Sequence, residues 1–122
     1  MVSIFIVEDD LSLQRLYKII LEHLDHKIIG IANNGLEALE KYHEFKKKPD
    51  LIIMDHRMPF KNGIETASEI LNNNCRSNIL FISSDTSIRE KVHSMGIKHF
   101  LNKPFELEEL YQVIQDASKN RM

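Results

Sequence analysis

Leu51-Ile52-Ile53-Met54-Asp55-His56-Arg57-Met58-Pro59 runs from four apolar residues into an acid and then into a turn that Met58 and Pro59 shape. An apolar run this short, stopped by a charge, is the pattern of a strand covered on both faces, as strands of a parallel sheet are. Runs of similar length stand at residues 4–7, 27–32, 79–83 and 98–102. Between them the apolar residues change to helical spacing. Leu13, Leu16, Tyr17, Ile20, Leu21 and Leu24 follow the three-four rhythm of one helix face. Leu36, Leu39 and Tyr42 or His43 predict a second helix opening at Asn33-Asn34-Gly35, and Ile64, Ala67 and Leu71 a third. Ile88, Val92 and Met95 predict a fourth that stops at Gly96. Leu107, Leu110, Tyr111, Ile114 and Ala117 predict a fifth, ending within residues 118–122, with Glu106, Glu108 and Glu109 at its electropositive start.

Five alternations of strand and helix predict an α/β fold, a doubly wound five-stranded parallel sheet. The 122 residues fit one domain, expected over residues 1–122 with no linker, repeat or output domain. Sixteen basic against 18 acidic side chains leave a formal charge of -2, which gives no general drive toward nucleic acid. Lys46-Lys47-Lys48 is a short basic run, read as closing the second helix before Pro49, where cations suit the dipole. The single cysteine, Cys75, excludes an internal disulfide and a cysteine-pair metal site, and a reducing compartment is the simplest reading. No signal peptide or membrane-length apolar run is visible, so a soluble cytoplasmic protein is expected.

In open α/β sheets ligands sit outside the carboxyl ends of the strands. The first strand ends in Glu8-Asp9-Asp10, the third in Asp55, the fourth in Ser83-Ser84 and the fifth in Lys103-Pro104. Singly, each has a bland reading. An acid after a strand is more often a helix N-cap, a role that suits Asp10; the serines cap helices too, and Lys103 suits an exposed turn. Together, a parallel sheet brings all of them to one edge. Clustered carboxylates repel, and a hard divalent cation such as Mg²⁺ removes the conflict through oxygen ligands. One carboxylate is then able to attack a phosphoryl group, with the metal and a lysine neutralising its oxygens and a hydroxyl donating one more hydrogen bond.

Glu8-Asp9, the run Asp55-His56-Arg57-Met58-Pro59 with Gly63, Ser83 and Lys103-Pro104-Phe105 resemble the receiver domains of two-component response regulators, single-domain chemotaxis regulators among them. The resemblance covers essentially the whole chain. It implies a flavodoxin-like fold with strand order 2-1-3-4-5, a cis Lys103–Pro104 peptide and Mg²⁺ as cofactor. It implies Asp55 as phosphoacceptor and a metal site of Glu8, Asp9, Asp55 and the Arg57 backbone carbonyl. Asp9-Asp10 is the other register for the acid pair; Glu8-Asp9 is preferred because Asp10 then caps the first helix. Ser83 and Lys103 match the phosphate-binding positions and Phe100 the aromatic switch position. A histidine kinase or phosphotransfer protein is the implied donor and a downstream protein the target. Output is expected through the face of the fourth helix, fifth strand and fifth helix. Beyond Mg²⁺-dependent self-phosphorylation and self-dephosphorylation, no enzyme activity is implied.

Departures from the common pattern sharpen these expectations. Ser83 replaces a frequent threonine and keeps the hydroxyl; Phe100 replaces a frequent tyrosine and loses it. Asp10 and Asp85 stand on the site rim. Arg57 and Asp85 carry opposite charges that could pair across the mouth, although exposed pairs are usually weak. His56 follows Asp55 and is expected to point away by strand alternation. Lys98 and His99 stand where dimerising relatives place acids, so a monomer is expected. Three other functions fit these residues less well. A phosphorylation-independent pseudo-receiver would lose the acid set that is intact here. An aspartyl phosphatase needs its nucleophile after the first strand with an Asp two residues on. A flavin carrier needs a Ser/Thr/Gly-rich loop where Glu8-Asp9-Asp10 would repel phosphate.

Overall fold

The computed structural model describes residues 2–119. In chain order the elements are β1 (Ser3–Val7), α1 (Leu11–His23), β2 (Lys27–Ala32), α2 (Gly35–Glu44), β3 (Leu51–Met54), α3 (Gly63–Asn73), β4 (Ile79–Ser83), α4 (Arg89–Ser94), β5 (His99–Asn102) and α5 (Leu107–Lys119). The strands form one parallel sheet in the order β2-β1-β3-β4-β5. The chain reverses its direction of travel between β1 and β3, and that is where such a sheet opens a crevice at its carboxyl edge.

Strand alternation divides the core into two layers. Phe5, Val7, Ile52, Met54 and Phe81 face Ala38, Tyr42, Ala67, Ile70 and Val92 of α2, α3 and α4. Ile4, Ile6, Ile53, Leu80 and Ile82 face Tyr17, Leu21, Leu110, Ile114 and Ala117 of α1 and α5. β1, β3 and β4 therefore have both faces covered, which is why they read as unbroken apolar runs. No helix among the described residues is long and apolar enough to cross a membrane.

Three local expectations need correction. The fourth helix is split: Thr86–Ile88 forms a 3-10 turn, because the Asp85 side chain accepts the amide of Ser87, and α4 proper follows at Arg89. Lys98 lies before β5, which starts at His99. Lys46-Lys47-Lys48 lie beyond α2, which ends at Glu44. Phe45 leaves the helix to set its ring edge-on to Phe5, with centroids 5.0 Å apart. Of the three lysines Lys48 does reach back, donating to the Tyr42 carbonyl at 2.5 Å and lying 4.6 Å from that ring. The expected end of the fifth helix within 118–122 lies partly outside the described residues.

Candidate functional site

β1 delivers Glu8 to the carboxyl edge of the sheet, where the side chain is only 1% exposed. Lys103 Nζ stands 3.1 Å from Glu8 Oε1, and the amide of Asp10 donates to Glu8 Oε2 at 3.1 Å. Burial and then the nearby charge of Asp55 push the Glu8 carboxyl up to about 7, against the opposing pull of Lys103 and the Asp10 amide. Asp55, at the end of β3, is 6% exposed. Its Oδ1 accepts the amide of His56 at 2.8 Å and lies 3.3 Å from Lys103 Nζ. Asp9 is exposed beside them. One carboxylate oxygen from each of Glu8, Asp9 and Asp55 lies within 4.8 Å of the others.

One ammonium thus faces three acids, two of them buried. That imbalance, with oxygen as the only donor type, fits a hard divalent cation such as Mg²⁺. Asp10 is occupied otherwise. Its Oδ1 accepts the amides of Ser12 at 2.8 Å and Leu13 at 3.3 Å, which makes it the N-cap of α1.

The β3–α3 loop fixes Asp55 from behind. The Gly63 amide donates to the His56 carbonyl at 2.8 Å. A Cβ at Gly63 would fall 2.1 Å from the Asp55 carbonyl oxygen, so no larger residue fits without moving that backbone. His56 turns away from the acids, its Nδ1 accepting the Ile64 amide at 3.4 Å. Burial holds its imidazole below the ordinary histidine range, the nearby Asp85 and Asp55 charges opposing. The Arg57 side chain reaches the rim and lies 3.4 Å from Asp85.

Ser83 closes β4, buried, and its Oγ accepts the Asp85 amide at 3.1 Å. Its carbonyl accepts the Lys103 amide at 3.0 Å, tying the ends of β4 and β5 together. The Lys103–Pro104 peptide is cis. Phe100 is turned inward. It stacks on Phe81 with centroids 6.3 Å apart and carries the Arg89 guanidinium 5.2 Å from its ring centre.

Two residues near the acids were not singled out from the sequence. Gln14, buried on α1, donates to the Glu8 carbonyl at 2.5 Å and to Asn33 Oδ1 at 2.8 Å, bracing the acid loop against the end of β2. A polar residue inside the apolar row of α1 was the available signal. Tyr17 is fully buried, and its hydroxyl has no hydrogen-bond partner among the described residues. Burial, and then the charges of Glu8, Asp55 and Asp10, hold that phenol above the ordinary tyrosine range.

The family model described as response regulator receiver domain matches residues 4–115. The chemotaxis protein CheY of Thermotoga maritima is 32% identical over 119 residues, covering 95% of this chain and 97% of its own. CheY of Listeria monocytogenes is 29% identical over 98% of this chain and the whole of its own. Among solved structures, the response regulator TrrA of Thermotoga maritima in complex with Mg²⁺ and a beryllium fluoride is 28% identical, with a TM-score of 0.83 over 96% of this chain and 99% of its own. The response regulator domain of Thermotoga maritima CheB is 29% identical, with a TM-score of 0.84 over all of this chain and 99% of its own.

Proposed function

The chain belongs to the response-regulator receiver family, and from that premise we propose that it is a phosphoryl-accepting switch of a two-component pathway in which Asp55 takes the phosphoryl group. The observation that carries the reading is the meeting of Glu8, Asp9, Asp55 and Lys103 at one edge of the sheet. An oxygen of Asp55 attacks the phosphorus of a phosphohistidine on a histidine kinase or phosphotransfer protein. A P–O bond forms and the P–N bond breaks; the imidazole nitrogen keeps the electron pair and takes a proton from water. Glu8, Asp9, Asp55 and the Arg57 carbonyl would hold Mg²⁺, which when bound neutralises charge on the phosphoryl oxygens. The Mg²⁺ complex of TrrA supports that assignment.

Lys103, already 3.3 Å from Asp55, follows the charge onto the phosphoryl group, and the Ser83 hydroxyl donates to it. Drawing Ser83 toward Asp55 pulls on the β4–α4 connection, so output runs through α4, β5 and α5. Phe100 lies on that face without a hydroxyl, and its switching rests on packing against Phe81 and Arg89. In this reading the protein is cytoplasmic and monomeric and acts on a downstream protein, not on nucleic acid or membrane. It is no enzyme beyond phosphorylating and dephosphorylating itself. Acetyl phosphate with Mg²⁺ should add one phosphoryl mass to the intact protein and none to Asp55→Asn. Equal uptake by both would place the acceptor elsewhere.

A further inference from the structure

We propose that Phe60 and Leu36 form a preorganised anchor for a cationic amphipathic helix of a protein partner, beside the acid site and independent of its phosphorylation. Phe60 has φ of 71°, the left-handed region that bulky side chains avoid and that glycine enters freely. Asp25, the other described non-glycine residue there, belongs to a type that tolerates it. Phe60 is also 82% exposed, more than any other large apolar side chain described. The fold thus carries a strained backbone and a wetted aromatic ring, and neither contributes to the core. Such an outlier points to an interaction made with something else.

Phe60 does not stand alone. Leu36, in the first turn of α2 and 49% exposed, lines the same shallow depression with Asn34, Glu37 and Glu40. The two apolar side chains are held in fixed relation. The Gly35 amide donates to the Lys61 carbonyl at 3.2 Å, and a Cβ at Gly35 would lie 2.5 Å from that oxygen and 2.2 Å from Thr66 Oγ1. The start of α2 is thereby pressed against the loop that carries Phe60, so little ordering is left to a partner.

The charge around the depression selects the occupant. Lys61 is ion-paired to Glu69, and Lys41 lies 3.2 Å from Glu37. Glu40 is exposed and has no ion pair among the described residues. Both nearby lysines are thus paired with acids, and the charge left uncompensated at the depression is the negative one of Glu40. A helix with leucine-like anchors on one face and lysine or arginine beside them satisfies both features. Polyanions do not.

The test titrates the whole chain with a helical peptide of leucine and lysine and, separately, with its leucine–glutamate counterpart, reading amide shifts and affinity. Shifts centred on Leu36, Phe60 and Glu40 are expected with the lysine peptide only. Phe60→Gly should weaken binding at least about tenfold while melting at or above the wild-type temperature, because glycine accepts the local φ. Asp55→Asn should bind as wild type, which separates this surface from the phosphorylation chemistry. Several results would overturn the proposal: no binding, equal binding of the glutamate peptide, unchanged affinity in Phe60→Gly, or shifts centred instead on Ile19, Leu107 and Tyr111 of the α1–α5 groove. A Phe60→Gly variant that fails to fold would overturn it too if Phe60→Asn fails likewise, since Phe60 would then serve the fold.

Discussion

Asp50 and Asp55 bracket β3, one before it and one after, and their surroundings are opposite. Asp50 Oδ2 accepts the amide of Ser3 at 2.8 Å and its hydroxyl at 3.2 Å, while the Asp50 amide donates to the Ser3 carbonyl at 2.9 Å and lies 3.0 Å from Ser3 Oγ. The pair fastens the starts of β1 and β3. Asp55 shares its edge with Glu8 and Asp9, and Lys103 is the cation that reaches it. One edge of the sheet is matched in polar groups; the other holds surplus negative charge. A carboxylate at a strand end is therefore structural or chemical according to what stands opposite it, and its identity alone does not tell which.

That contrast is open to measurement, most strongly at the matched edge. Asp50→Ala leaves the Ser3 amide and hydroxyl without their acceptor. Urea melts should show a loss of roughly 2–3 kcal/mol. A loss below about half a kcal/mol, the ordinary surface value, would mean that the edge is not held by this pair.

The acid edge should respond with the opposite sign. The Glu8 carboxyl sits near 7 in the folded chain against an ordinary 4.5, so the native state holds its proton longer than the unfolded state does. Its contribution is fully present below about pH 4.5 and is lost as pH rises through about 7. In chelator at pH 8, Glu8→Gln should therefore be more stable than wild type by about 2 kcal/mol, with the difference closing below pH 5. Denaturant melts across that range check it, and a variant less stable than wild type throughout would show that Lys103 outweighs the other acids.

The smallest effect returns to the matched edge. His26 Nδ1 accepts the amide of Val2 at 3.2 Å, a role that a protonated ring cannot fill. Burial lowers its pKa from the ordinary 6.5, against the pull of Asp25. The unfolded chain then takes up the proton first, so stability is held above about pH 6.5 and falls as pH drops toward the folded value. His26→Gln should flatten that acid limb by less than about 1 kcal/mol. If the limb persists unchanged, the dependence belongs to another group.

Much of this was legible in the sequence because parallel topology turns order along the chain into position in space. Short apolar runs gave the strands, and what followed each run had to meet at one edge. That is enough to bring Glu8, Asp55, Ser83 and Lys103 together without knowing a single distance. Features that depend on contacts between distant elements were less visible. Phe45 was invisible as the end of α2, because its reason is the ring of Phe5 in β1. Gln14 carries no sequence sign of its role beyond its polarity, since its partner Asn33 belongs to another element. The split before α4 was hidden by Ile88, Val92 and Met95, whose spacing suits one continuous helix. The Asp85 side chain overrides it locally.

Gly63 has a mechanical consequence. With its amide bonded to the His56 carbonyl and no room for a Cβ against Asp55, the loop behind Asp55 is a stiff member bolted to α3. On the far side, Ser83 leads into a 3-10 turn and a helix of six residues, a more compliant member. When two springs in series are loaded, the softer one takes most of the displacement. In the proposed switch, a displacement begun at Asp55 would therefore be taken up toward α4 rather than α3, its direction set by the difference in build between the two sides of one carboxylate.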